Sequence, residues 1–235
     1  MPQTEHLSKQ YDQDLDALRS RVLEMGGLVE AQIGMAIEAY TSGNSALVDQ
    51  VIENDRRVNG FEVGIDDDCI HIIARRQPAA VDLRTIMAIG KIVTDLERIG
   101  DEAEKIARTT RQLQETVRTP LPQLADVRHA ADAARSMLHR ALDAFARRDV
   151  AEAAQVVKED MVVDSEFRAV LRQLITYMME EPRTITAAIG IIWIGKAAER
   201  IGDHAKNIAE QVIYIVKGAD VRHTDMANLE RQALG

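Results

Sequence analysis

Cysteine is almost missing. The 235-residue chain holds one, Cys69, so an internal disulfide is excluded and a reducing compartment fits. Its neighbours Asp66, Asp67 and Asp68 would raise a thiol pKa, which makes Cys69 a small apolar side chain rather than a nucleophile. Proline is scarce too, at five residues, all standing where helices would break. Aromatics make up 3%, so aliphatic side chains and alanine must build the core. The most apolar stretch, Ile189 to Gly195, is far too short to cross a bilayer. The first sixteen residues are polar and acidic, unlike a secretory or transit leader. The expectation is a soluble, cytoplasmic protein. Positive charge is in the minority, 29 Lys and Arg against 38 Asp and Glu, giving a formal net charge of −9. That balance argues against a generic nucleic-acid binder, which needs cations to neutralise phosphates. Cations and basic protein surfaces stay open as partners.

What the chain does have is helical periodicity, on an apolar content of 46%. Leu15, Leu18, Val22, Met25, Val29, Ile33 and Ile37 recur at three- and four-residue steps and predict a first helix from about Thr4 to Tyr40. A second is expected from Ser45 to Arg76, ended by Gln77-Pro78 because the residue before proline avoids the helical region. A third runs from Ala80 to Thr116. Thr119-Pro120-Leu121-Pro122 is the clearest break. The pattern restarts with a fourth helix, Gln123 to Arg147. Asp149 is a candidate N-cap for a fifth that reaches Glu180. The sixth spans Arg183 to Lys217 and stops at Gly218. Residues from Ala219 read as weakly helical or frayed. The expected fold class is all-α: two tandem three-helix bundles related by an internal repeat, with divisions at 1–118, 119–218 and a tail at 219–235. Glycines 90, 100, 190, 195 and 202 fall inside helices at up to ~1 kcal/mol each, and read as points of close helix approach.

The internal repeat is explicit. Residues 97–107 read ERIGDEAEKIA and residues 199–209 read ERIGDHAKNIA, eight of eleven positions being identical at an offset of 102. Such a period points to two halves of one architecture. Each copy carries Glu-x-x-x-Asp. On a helix Glu97 and Asp101 lie about 40° apart, as do Glu199 and Asp203, while the isoleucines and alanines of the motif fall on the opposite arc. The carboxylates are therefore expected to look away from the core, towards solvent or a docked partner. Like charges four residues apart cost a few tenths of a kcal/mol, so a pair kept in both copies suggests a cation or basic partner.

The preceding helices repeat as well. Asp55 and Asn59 align with Asp160 and Asp164 at an offset of 105, the three extra residues being expected in the connection at Pro78. Glu62 extends the first row. If helices two and three of each half are antiparallel neighbours, four or more oxygens per half would meet, enough for an oxygen-rich metal site. A solvated helix face is the competing reading. His204 and Asn207 are further candidate ligands in the second half, although His204 is turned about 140° from Glu199. Enzyme readings fare poorly. A di-iron bundle needs two Glu-x-x-His motifs, and Asp68-x-x-His71 is the nearest approach. No nucleophilic triad or Gly-rich phosphate loop is evident.

The doubled Glu-Arg-Ile-Gly-Asp, at 97–101 and 199–203, together with Arg75-Arg76-Gln77-Pro78, Asp82-Leu83-Arg84, Asn54-Asp55 and Val58-Asn59, resembles the PhoU family of phosphate-transport regulators over roughly residues 5 to 218. The resemblance implies a cytoplasmic, dimeric, non-enzymatic accessory protein of the high-affinity phosphate ABC transporter. It implies repression of the phosphate-starvation response when phosphate is plentiful. The implied partners are the transporter's ATPase subunit and a membrane sensor histidine kinase, with membrane contact only through them. It also implies metal ions, with iron, zinc, magnesium or manganese all in range. The residues carried over are Glu97, Asp101, Glu199 and Asp203, then Asp55, Asn59, Asp160 and Asp164; Asn59 stands where the second half has Asp164. A metal-storage or metalloenzyme bundle is the alternative.

Overall fold

Long apolar stripes at helical spacing need a partner surface along their whole length, and here each helix supplies one to the next. The computed structural model describes residues 9–116, 125–222, 224, 228, 229 and 231. The helices are α1 (Lys9–Ser42), α2 (Ser45–Arg76), α3 (Ala80–Thr116), α4 (Ala125–Arg147), α5 (Val150–Glu180) and α6 (Ile185–Lys217), with one 3-10 turn at Pro182–Thr184. Among the described residues there is no strand. Residues 4–8, the start of the expected first helix, lie outside the described residues, as do Thr119–Pro122 and Gln123.

Local chemistry sets the helix ends. Asn44 caps α2 by accepting from the Ala46 N–H at 3.0 Å, and Asp149 caps α5 by accepting from the Glu152 N–H at 3.0 Å. These caps satisfy backbone donors that the first turn leaves free. Gly218 ends α6 at φ 74°, its N–H donating to the Tyr214 carbonyl at 2.9 Å. At Gln77 the chain turns left-handed, φ 47°, and ends α2 ahead of Pro78.

The connection at Pro78 is not the longer one. Residues 77–79 join α2 to α3, whereas 181–184 join α5 to α6. The extra residues sit in helix: α3 runs 17 residues from its start to Glu97, and α6 runs 14 from its start to Glu199. The second half spends its first turn after proline as the 3-10 turn instead.

Within each half neighbouring helices are antiparallel. Between halves, α3 runs antiparallel to α6: Arg84 lies beside Gly218, Asp95 meets His204, Glu102 meets Arg200, and Leu113 lies beside Gly190. In the same way α1 meets α4, through Gly26 at Leu142 and Glu30 at Arg135 and His139. One hydrophobic core therefore runs through both halves. The segment after α6 is not frayed where it is described. Val221 and Leu229 are buried, and both line a cavity with Val157 of α5 and Lys206 of α6.

Gly100 and Gly202 are the close-approach glycines of the repeat. A Cβ on Gly100 would stand 3.3 Å from Val58 Cγ1, and one on Gly202 would stand 3.4 Å from Val163 Cγ1. Both seams, α2–α3 and α5–α6, are thus drawn together at the same level. Gly90 differs: a Cβ there would meet only Asp66 Oδ1, at 4.0 Å.

Candidate functional site

Antiparallel packing of α2 on α3 brings Asp55, Asn59 and Glu62 onto the flank of Glu97 and Asp101. The rows are less open than a helical wheel suggests. Asp55 and Asp160 are each 7% exposed, and Glu97, Asp101, Glu199 and Asp203 are half-buried. The glycine at the centre of each motif lets α2 or α5 approach closely enough to cover one side of the row. Asn59 stays exposed and Asp164 half-buried.

The two rows then differ electrostatically. In the first half, Gln32 of α1 is fully buried and its Nε2 donates to Asp55 Oδ1 at 3.4 Å, to the Val51 carbonyl at 3.3 Å and to the Gly100 carbonyl at 3.3 Å. Asn59 Nδ2 donates to Asp55 Oδ2 at 3.4 Å. Among the described residues no Lys or Arg nitrogen lies within 4.0 Å of Asp55, Glu62, Glu97 or Asp101; Arg56 pairs with Glu53 and Arg108 with Glu104. Burial pushes the Asp55 carboxyl above its ordinary range, the Gln32 hydrogen bond pulls it back, and the charges of Glu104 and Asp101 push it up again. Glu97 is raised by burial, then by Asp101, Glu62 and Asp55, against a smaller lowering pull from the charge of Arg98. Glu62 is raised by burial, then by Asp66 and Asp101.

In the second half three of the four acids have a cation, Asp203 being the exception. Lys196 Nζ donates to Glu199 at 2.6 and 2.5 Å, Lys206 Nζ to Asp160 Oδ2 at 2.7 Å, and Arg168 to Asp164 at 3.4 Å. Asp203 is still raised, by burial and then by Glu199 and Asp160. Burial alone would lower the Lys206 pKa, but the hydrogen bond and charge of Asp160 outweigh it and raise it.

Four exchanges produce the difference: Thr94 to Lys196 and Val63 to Arg168 supply two of the cations, and two more act between helices. The caps Asn44 and Asp149 align the first two helices of each half at the same offset as Asp55 and Asp160, which sets Gln32 against Met137. The motif offset sets Glu104 against Lys206. Neither Gln32 nor Glu104 was among the residues singled out from the sequence, yet Gln32 carries a legible signal: it lies in the apolar register of α1, three residues after Val29 and four before Ala36.

His204 and Asn207 do not join the second row. His204 Nδ1 lies 2.8 Å from Asp95 Oδ1, and Asn207 Nδ2 donates to the same oxygen at 3.2 Å. They are turned across to α3, where Asp95 and Glu102 are buried at the seam between halves, Glu102 also taking Arg200 at 3.1 Å. Asp95 and Glu102 are seven residues apart on the edge of the apolar stripe, the signal that marks them in retrospect.

Among the described residues no three His, Cys, Asp or Glu side chains converge to hold a metal ion; the carboxylates form rows. By donor chemistry the first row suits a hard cation, being all oxygen and unneutralised. The second row suits one less well, because Lys206 and Lys196 already occupy Asp160 and Glu199.

The asymmetry has a measurable consequence. Glu97→Gln relieves like-charge repulsion of a few tenths of a kcal/mol and raises the melting temperature by about 1 °C. Glu199→Gln strands Lys196 and lowers it by about 2 °C. The folded forms of Asp55, Glu62 and Glu97 hold protons more tightly than the unfolded chain. Their contribution to stability is therefore lost as pH rises from the ordinary carboxylate range through the raised folded values, and Glu97→Gln shrinks that slope in calorimetric scans.

A duplicated all-α bundle with a Glu-x-x-x-Asp row in each half defines the class. The PhoU domain model matches residues 22–110 and 127–212. A PhoU homolog of Pseudomonas putida, named as a phosphate-specific transport system accessory protein, is 48% identical over 232 residues, 99% of this chain and 90% of its own. The Escherichia coli K12 accessory protein PhoU is 44% identical over 98% of this chain and 95% of its own. Among solved structures, PhoU from Pseudomonas aeruginosa superposes with a TM-score of 0.85 at 49% identity, covering 89% of this chain and all of the other. The phosphate transport system regulatory protein PhoU from Streptococcus pneumoniae gives 0.81 at 26% identity, covering 90% and 99%. The chain belongs to the PhoU family.

Proposed function

We propose that this protein is a non-enzymatic accessory factor of phosphate transport, acting in the cytoplasm as a homodimer. It docks on the ATPase subunit of the high-affinity phosphate ABC transporter and on a sensor histidine kinase, and so represses the phosphate-starvation response. The observation that carries this reading is similarity along almost the whole chain to proteins named as phosphate-specific transport accessory factors. Among the described residues no helix is long and apolar enough to cross a membrane, which fits a protein that reaches the membrane through partners. Deletion of the gene is expected to leave phosphate-regulated promoters switched on in high phosphate, and the wild-type chain to restore repression. Full repression in the deletion strain overturns the reading.

A metal-binding role is the second reading, favoured by the unneutralised oxygen row of the first half. Glu97 and Asp101 would hold the ion, with Asp55 and Glu62 beside them, and it would neutralise the repulsion along the row. Elemental analysis of the purified protein beside Glu97→Gln/Asp101→Asn decides it: bound metal lost in the variant supports the role, and equal content in both removes it.

A further inference from the structure

Exposed apolar side chains sit on the same seam as the first row. Ile70 is 62% exposed and Met87 55%, and both line a cavity of about 650 Å³ formed by α2, α3, α6 and Arg222. Pockets that take small ligands or anchoring side chains fall in this range. Gly90 opens it, with no atom nearer than 4.0 Å to where its Cβ would be; the second half has Ile192 and Trp193 where the first has Gly90 and Lys91. Gln211 is 4% exposed, lines the cavity, and its Oε1 has no hydrogen-bond partner among the described residues.

The cations on the rim do not make an anion site. Arg222 is held by Asp220 at 2.9 Å, and Lys91 Nζ lies over the Tyr214 ring, 5.7 Å from its centroid. Arg98 is drawn to Glu97 and Glu62, and Asp66 and Asp95 line the same wall. From Met87 to Glu97 is about 15 Å along α3, three turns of a helix lying beside it. The groove thus begins in an apolar socket and ends in carboxylates that, despite the charge of Arg98 nearby, have no Lys or Arg nitrogen within 4.0 Å among the described residues.

We infer that this α2–α3 groove of the first half docks an amphipathic helix of a partner protein. One apolar side chain enters the cavity, and Lys or Arg about three turns further along meets Glu62, Glu97 and Asp101. Helix-in-groove recognition uses such an anchor with flanking polar contacts, and charge complementarity fixes its direction. The second half offers an exposed apolar stripe as well, Ile185, Ile189 and Trp193 on α6. Its Glu199, Asp160 and Asp164 are already paired with Lys196, Lys206 and Arg168, which leaves only Asp203, so the basic helix selects the first half. The inference rests on the reading of this chain as a docking protein.

The test places the photoreactive residue p-benzoylphenylalanine at Met87, and at Ile189 as the control, in the full-length chain in cells. Irradiation is followed by mass spectrometry of the crosslinked peptides. The expected result is a crosslink from position 87 to a segment of another protein that reads as an amphipathic helix, with Lys or Arg about ten residues from the attachment point. Adding Glu97→Gln with Asp101→Asn reduces its yield about tenfold, whereas Glu199→Gln with Asp203→Asn changes it less than about twofold. Circular dichroism of both variants confirms that they fold. Capture of a second copy of this chain, capture from position 189 alone, no capture at all, or a yield indifferent to Glu97 and Asp101 each overturns the inference. If the captured protein has no part in phosphate transport, the transport reading fails and the groove stands. If deletion derepresses the phosphate promoters while position 87 captures nothing, the groove fails and the transport reading stands.

Discussion

Replacing Gln32 with Met destabilises the protein by about 2 kcal/mol, and adding Glu104→Lys recovers about half of the loss. Gln32 Nε2 is the buried donor that serves Asp55. Without it the carboxylate keeps only Asn59 and the repulsion of Glu104 and Asp101. A buried hydrogen bond to a charged group is worth about 1.5–3 kcal/mol, and stranding the acceptor adds its desolvation cost. The two carbonyls that Gln32 also serves lie in helices, so their loss is smaller. Gln32 Oε1 has no partner among the described residues, and removing it offsets part of the cost. The second half already has Met137 at this place, with Lys206 on Asp160 at 2.7 Å. The double variant copies that arrangement into the first half, at the expense of the exposed Glu104–Arg108 pair. Denaturant unfolding of the two single variants and the double measures the coupling directly. Additive effects of Gln32→Met and Glu104→Lys sink this account of the row.

Asp95→Ala acts at the other seam and costs about 2–3 kcal/mol. Asp95 Oδ1 takes both His204 Nδ1 and Asn207 Nδ2, and its removal leaves two half-buried donors without their shared acceptor across α3 and α6. Unpaired buried polar groups cost about 1–3 kcal/mol each. For a chain of this length the melting temperature falls by roughly 4–12 °C. Asp95→Asn keeps an acceptor oxygen and retains about half of the stability. Because the contact joins the two halves, amide hydrogen exchange should quicken in α3 and α6 ahead of α1 and α2. A loss below about 1 kcal/mol, or exchange that quickens evenly, refutes the view that Asp95 fastens one half to the other.

How far the site was legible can be followed residue by residue. Glu97, Asp101, Glu199 and Asp203 stood out because the motif occurs twice, and their share of one helix face follows from helical geometry alone. Asp55 and Asp160 followed from the same repeat, and the structure does bring them to the motif helices. Their burial was not legible. A helical wheel gives the angle of a side chain on its own helix and says nothing of how closely the next helix lies, which here is set by Gly100 against Val58 and Gly202 against Val163. Asn207 shows the same gap: its spacing from Asp203 allowed a place in the row, and Asp95 of the other half took it, with His204, instead.

By itself the sequence determined the helices, their order, most of their ends and the duplication. These depend on periodicity, capping residues and proline, which act within a few residues along the chain. It also determined where the carboxylates stand on each helix. Tertiary structure alone decided that the halves share one core, and that Asp95 and Glu102 fasten α3 to α6. It decided, too, that Asp55 and Asp160, at matching places, take different partners. The physical reason is that a carboxylate's state depends on the dielectric and on the charges within a few ångströms. For Asp55 and Asp160 those neighbours come from other helices, Gln32 in one half and Lys206 in the other.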